Sequence, residues 1–323
     1  MPLVTSTFRP PLYLRSASIQ TITPSLFRRL PLDDSRPETL ELPDGDFLEL
    51  EWMASDRSEL VILTHGLEGS TRSSYIKGLA HALLQAGYGV LTWNMRGCGT
   101  DRNRLPTWYH SGQSSDLRAV INHATGRTFA HIHAVGISVG GNILLKYLGE
   151  EGTAALDLIS SATVVSVPMD LRGSAKELAK QKNRIYMNYL LKPLRARIRE
   201  KARRFPKLFD TTRLDSIRTF QEFDTLYTAP MHGFASVDSY WDSSSSLHFL
   251  DAIRVPTLII SALDDPFLSP SCFPSEVARY SDALSLETPL WGGHVGFIDS
   301  LRLSRTWLDH RILQNLARYS PPR

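Results

Sequence analysis

Hydrophobic and polar positions along the chain change period repeatedly, and each change marks the edge of a short element. Residues 39–53 carry strand-like alternation around the turn pair Asp44-Gly45 and predict an antiparallel hairpin at the edge of a larger sheet. Residues 60–64, Leu-Val-Ile-Leu-Thr, form a continuous β-rich run, the pattern of a strand covered on both faces. Strand and helix patterns then alternate: helix over 74–85 closed by Gly87, strand over 89–93, helix over 114–125, strand over 131–136, helix over 140–148 and strand over 162–167. Such alternation predicts a parallel sheet with right-handed crossovers.

After Pro168 the alternation stops. Residues 174–219 read as helical and strongly basic, and a loop-rich stretch follows with Pro230, Gly233 and the serine run 243–246, which reads as a polar joint back to the core. Strand patterns resume at 257–261 and 284–288, and a closing helix is expected from about 297 to 316. The fold class is therefore α/β, a mostly parallel central sheet flanked by helices. Residues 1–169 and 251–323 form its core, and residues 170–250 are an inserted helical cap.

Composition narrows the function classes. With 323 residues, 42% hydrophobic and 21% charged, the chain has the make-up of a folded enzyme and can bury a sizeable core. Lys plus Arg outnumber Asp plus Glu by only 36 to 33, which gives no global attraction to nucleic acid. Cys98 and Cys272 lie far apart without metal-ligand spacing, so free thiols are expected and neither a disulfide framework nor a metal site. No stretch approaches the roughly 18 apolar residues of a membrane span, and residues 1–14 lack a signal-peptide core. The expectation is a soluble, cytoplasmic protein.

Three segments carry chemistry. Gly136-Ile137-Ser138-Val139-Gly140 is a G-x-S-x-G pattern between an apolar strand and a helical run, the context in which a serine sits exposed on a sharp, strained turn. The helix N-terminus beneath it favours developing negative charge. His65-Gly66-Leu67-Glu68-Gly69 directly follows the strand 60–64. Acyl transfer needs two preorganised N–H donors for the tetrahedral oxyanion, and we assign them to the backbone of Leu67 and of Val139. Gly292-Gly293-His294 follows the last strand and supplies the candidate general base. Asp264-Asp265 follows the strand 257–261, at the carboxyl edge of the sheet, and either carboxylate is placed to hold His294 in its productive tautomer.

The order serine, acid, histidine is that of α/β-hydrolases, and the chain resembles their YheT-like branch, the AB-hydrolase 4 family. The matching segments are Leu14-Arg15 with Gln20-Thr21, His65 to Gly69, Asn94-Met95-Arg96-Gly97-Cys98, Tyr109-His110-Ser111-Gly112, Asp264-Asp265-Pro266-Phe267 and Gly292-Gly293-His294-Val295-Gly296-Phe297. Met95 stands where an aromatic is usual and Ser18 where His is usual. The resemblance implies a capped hydrolase of carboxylic esters, without a cofactor, with some relatives carrying out acyl transfer or acting on phospholipids. Aligned with the acid loop of α/β-hydrolases, G-x-x-D-x-x-V-P, Asp265 fits as the acid, with Ala262 at the glycine and Leu268 at the apolar position.

The expected triad is therefore Ser138, Asp265 and His294, acting on a small-molecule acyl ester. An acyltransferase with an alcohol acceptor and a non-catalytic binding protein of the same fold are the alternatives. His294 and Asp299 also spell H-x-x-x-x-D, a spacing associated with acyltransferases, which is discounted because Asp299 falls early in the expected closing helix. The densely basic residues 192–204 read as a solvated cap face, or as a seat for weak association with anionic lipid or a membrane surface.

Overall fold

The computed structural model describes residues 3–31 and 35–321. Among these, nine strands form one sheet: β1 Leu3–Val4, β2 Arg36–Glu41, β3 Phe47–Met53, β4 Glu59–Thr64, β5 Gly89–Asn94, β6 His131–Ile137, β7 Ser161–Val165, β8 Thr257–Ile260 and β9 Leu284–Glu287. Their order is β1-β9-β8-β7-β6-β4-β5-β3-β2, parallel throughout except where β3 pairs antiparallel with β2 and β5. The predicted hairpin is the β2–β3 pair at one edge, turned at Gly45 with φ 86°.

Alternate side chains explain why the central strands read as unbroken apolar runs. In β4, Leu60 and Ile62 face one cluster while Val61 and Leu63 face another. The first cluster takes in Leu117, Val120 and Ile121 of α3 (Ser114–Thr125) and Ile143, Leu144 and Leu148 of α4 (Val139–Glu151). The second takes in Ile76, Leu79 and Leu83 of α2 (Ser74–Gln85), together with Leu308, Ile312 and Leu316 of the helix Trp307–Leu316. A strand buried on both faces has no polar positions to lose, and each fully buried aliphatic side chain contributes about 1.5–3 kcal/mol.

Several elements depart from expectation. The helix α1, Ala17–Phe27, has no counterpart in the hydrophobic pattern. The closing helix begins at Trp307, not near 297, because Thr306 and Asp309 form a reciprocal capping box there. Phe297 is buried in a turn with φ 45°, outside any helix. Asp299 is exposed in a bend, so it is not an early helical acid as expected.

β7 and β8 are hydrogen-bonded neighbours, yet the 91 residues 166–256 separate them along the chain. Among the described residues this stretch contains helices and no strand, chiefly α5 Leu171–Leu178, α6 Arg184–Arg204 and the helix Val237–Ser244. The expected helical stretch 174–219 is thus two helices ending at Arg204, with a largely irregular chain beyond. The serine run is more than a polar joint. Ser244 closes a helix, and Asn142 of α4 donates to the Ser244 carbonyl and accepts from the Ser246 N–H, at 2.8 and 2.9 Å.

Candidate active site

The strand β6 ends at Ile137 and the helix α4 begins at Val139, so Ser138 alone makes the reversal, with φ 54° and ψ −120°. A non-glycine residue at positive φ is strained by about 1–3 kcal/mol and persists only where its surroundings over-determine it. Here the Ser138 N–H donates to the Val165 carbonyl of β7 at 2.8 Å. The turn also needs close backbone approach, because a Cβ at Gly140 would stand 2.3 Å from the His65 carbonyl oxygen and 2.5 Å from that of Thr64.

The structure brings three of the predicted side chains into one relay. Ser138 Oγ lies 2.9 Å from His294 Nε2, and His294 Nδ1 lies 2.9 Å from Asp265 Oδ2 and 3.2 Å from Oδ1. Asp265 is buried, and its Oδ1 also accepts the Phe267 N–H at 2.9 Å. The Phe267 ring stacks on the His294 imidazole with centroids 4.1 Å apart. A buried carboxylate on Nδ1 holds the proton on that nitrogen and leaves Nε2 free to accept the serine proton.

Asp264 points elsewhere. Its Oδ1 accepts the Gly293 N–H at 2.8 Å, and burial pushes its carboxyl above the usual range. That bond fixes the turn on which His294 stands. Gly293 has φ 53°, and a Cβ there would come within 2.5 Å of the Ala17 carbonyl oxygen. From α1, Thr21 Oγ1 accepts the His294 N–H at 2.9 Å, and Gln20 bonds both the N–H and the carbonyl of Ile298, at 2.8 and 2.9 Å. Ser166 Oγ accepts the Val295 N–H at 3.1 Å.

Sequence reasoning missed the supporting parts played by Thr21, Gln20 and Ser166. Gln20 and Thr21 were visible only as a matching family segment.

The loop after β4 lies against the serine, since a Cβ at Gly66 would stand 3.2 Å from Ser138 Cβ. The Gly66 N–H donates to Tyr75 OH and the Glu68 N–H to Tyr109 OH, each at 2.8 Å. Among the described residues, the N–H groups of Leu67 and Val139, between and beside these anchors, take no protein acceptor. His65 is structural: its Nδ1–H donates to the Gly66 carbonyl, its Nε2 accepts the Met95 N–H, and burial lowers its pKa to about 4.

His110 stands apart from the relay. Its ring packs against His232, Phe234 and Tyr240.

Most of the basic run 192–204 has partners within the chain, with the side chains of Arg197 and Lys201 buried and Arg199 at the surface. Arg195 donates to the Ile217 carbonyl, Arg197 pairs with Glu68, Arg199 with Asp215 and Arg204 with Glu200, while Lys201 donates to the Leu105 and Thr107 carbonyls. Among the described residues no cluster of three or more His, Cys, Asp or Glu stands together to hold a metal ion. No helix among them is long and apolar enough to cross a membrane. Cys98 and Cys272 are free thiols.

The model of the α/β hydrolase fold family matches residues 59–300. The Escherichia coli K12 protein named "Putative esterase YheT" is 36% identical over 312 residues, covering 93% of this chain and 90% of that one. Human "Phospholipase ABHD3" is 28% identical, covering 93% of this chain and 76% of its own. Among solved structures, an esterase of Pyrococcus furiosus, Pf2001, superposes with a TM-score of 0.60 at 17% identity, over 88% of this chain and 91% of that one, a likeness of fold.

Proposed function

The chain belongs to the α/β-hydrolase fold family, and from that premise we propose that it is a serine hydrolase of carboxylic esters, acting through an acyl-enzyme. The observation that carries this reading is the relay from Asp265 through His294 to Ser138, set at the strained turn between β6 and α4. Ser138 Oγ attacks the ester carbonyl while His294 Nε2 takes its proton. The carbonyl oxygen becomes an anion, and the N–H groups of Leu67 and Val139, which have no acceptor among the described residues, are the donors that receive it. His294 returns the proton to the leaving alcohol, and Asp265 stabilises the imidazolium formed between these steps. Water then repeats the sequence on the acyl-enzyme and releases the acid.

Residues 170–250 serve in this reading as a cap that shapes the acyl site. Support comes from their contacts at the acid loop: Asn183 donates to the Pro266 carbonyl at 2.8 Å, and Tyr186 packs edge-on against Phe267, the ring that stacks on His294. The relatives named as an esterase and a phospholipase support acyl esters, lipid-like ones included, as the substrate class.

The test is an ester series graded by acyl-chain length, run with and without added alcohol. Free acid as the main product is the expected result. Predominant formation of a new ester would favour acyl transfer, and tight ligand binding without turnover across the series would favour a non-catalytic binding protein.

A further inference from the structure

Resting on the proposed acyl transfer, the geometry points to Arg197, on α6 of the helical insertion, as a positioning residue that fixes the Leu67 oxyanion donor by holding Glu68. The loop concerned is unusual in its backbone. Glu68 has φ 52°, a conformation a non-glycine residue keeps only under external constraint. The constraint is visible. Arg197 Nη2 bridges both Glu68 carboxylate oxygens at 2.8 and 2.9 Å, and Tyr109 OH donates to Oε1 at 3.0 Å while accepting the Glu68 N–H at 2.8 Å.

Both partners of the ion pair are only 8% exposed, so it is shielded from the solvent screening that weakens surface pairs. The fold also makes room for the guanidinium, since a Cβ at Gly97 would stand 1.8 Å from Arg197 Nη1. Arg197 donates further to the Arg96 carbonyl at 3.4 Å and lies over the Tyr109 ring at 5.6 Å.

Leu67 sits between two residues whose N–H groups are each held by a phenol hydroxyl, Tyr75 at Gly66 and Tyr109 at Glu68. The second anchor depends on Arg197, because without a cation the Glu68 carboxylate is left buried beside Tyr109 and must move toward water. Movement of Glu68 distorts the turn over residues 66–69, which the Gly69 N–H closes on the Gly66 carbonyl at 3.0 Å, and so tilts the Gly66–Leu67 peptide that carries the Leu67 N–H. The same contact makes the inserted segment a part of the oxyanion site, although it contributes no atom to the reaction. A misaimed donor weakens the transition state and leaves ester binding largely unchanged.

The experiment compares wild type with Arg197→Met, Arg197→Lys, the charge-free double variant Arg197→Met/Glu68→Gln, and the surface control Arg199→Met. For each, kcat and KM on the fastest ester, the pH–rate profile, the affinity of an aryl trifluoromethyl ketone and the melting temperature are measured. The ketone probe adds Ser138 and places an oxyanion where the tetrahedral intermediate has one. Arg197→Met is expected to lower kcat and ketone affinity together by about 10–100-fold, less than outright loss of a donor. KM should stay within about threefold and the pH midpoint should not move. Arg197→Lys should recover part of the loss, the double variant should be no worse than Arg197→Met, and Arg199→Met should match wild type.

If Arg197→Met does not fold, Arg197→Lys and the double variant carry the same comparison. Folded variants with kcat and ketone affinity within about twofold of wild type, or a loss confined to KM, would overturn the proposal while the hydrolase reading stands. A wild-type protein that neither turns over esters nor reacts with the ketone would overturn both.

Discussion

Replacing Asp265 by Asn tests the relay at the point where the structure makes the sharpest distinction. The carboxylate has two jobs, because Oδ1 accepts the Phe267 N–H at 2.9 Å while Oδ2 accepts from His294 Nδ1 at 2.9 Å. An amide can keep its oxygen on Phe267, which turns its NH₂ toward His294 Nδ1. The ring proton must then move to Nε2, where it faces Ser138 Oγ as a donor and can no longer accept the serine proton. Flipping the amide would restore the tautomer but set NH₂ against the Phe267 N–H, at a cost of about 1–3 kcal/mol for the unsatisfied donors.

That cost supplies part of the expected loss and the missing carboxylate charge beside the imidazolium the rest; together the loss in kcat should be about 10⁴-fold, roughly 5.5 kcal/mol, the size seen for the same substitution in the protease triad. The Asp265 carboxylate bonds His294 and Phe267, so in the proposed reaction it does not touch the ester and KM should change little. Asp264→Asn should cost far less, since an amide oxygen can still accept the Gly293 N–H now bound at 2.8 Å. Steady-state kinetics on both variants, with circular dichroism to confirm folding, decide the matter. An Asp265→Asn enzyme retaining a tenth of wild-type kcat, or an Asp264→Asn enzyme damaged more severely, would refute the reasoning.

Thr21→Val removes the acceptor of the His294 N–H, a partly buried group whose desolvation costs about 1–2 kcal/mol, so kcat should fall about tenfold and Thr21→Ser should restore it; an unchanged Val variant would contradict the support assigned to α1. Stability should fall on acidification, because burial lowers the pKa of His65 to about 4, His110 to about 3 and His232 to about 4. Above about pH 6.5 these imidazoles are neutral folded or unfolded; below it the unfolded chain takes up protons that the fold refuses, at about 1.4 kcal/mol per pH unit for each, discounted for the partly exposed His110 and His232. Asp224, raised to about 6 by burial, acts in the opposite sense between about pH 6 and 4, and Asp116 and Asp264, also raised by burial, act with it, so the decline should be shallower than the three histidines alone would give. Urea midpoints at pH 7.5, 6.5 and 5 that show no decline would refute this.

The parts of the fold that were legible are those where one physical signal dominated. β4 is buried at all six positions, and its continuous Leu-Val-Ile-Leu run is the direct consequence. Gly136 and Gly140 flank Ser138 because backbone meets backbone there, so the motif carries its own geometry. α1 was illegible for the opposite reason. It contains Pro24 and exposes Ile19, Ile22, Leu26 and Phe27, so its pattern shows no buried apolar stripe, and its anchor is a polar one, Gln20 on Ile298.

The start of the closing helix was misplaced because Phe297 and Ile298 are apolar yet serve a buried turn, while the Thr306 and Asp309 cap that sets the true start is a short polar signal. Within the basic run, charge alone could not single out Arg197, whose partner Glu68 lies 129 residues away.

The central claim is that Ser138 is an activated nucleophile, and a fluorophosphonate probe reads this directly because only an activated serine reacts with it at useful rates. Labelling followed by peptide mass spectrometry should place the phosphonyl group on Ser138 alone, and a folded Ser138→Ala variant should take up none. A label that persists in Ser138→Ala, or that lands on another residue of the wild-type protein, would contradict the account.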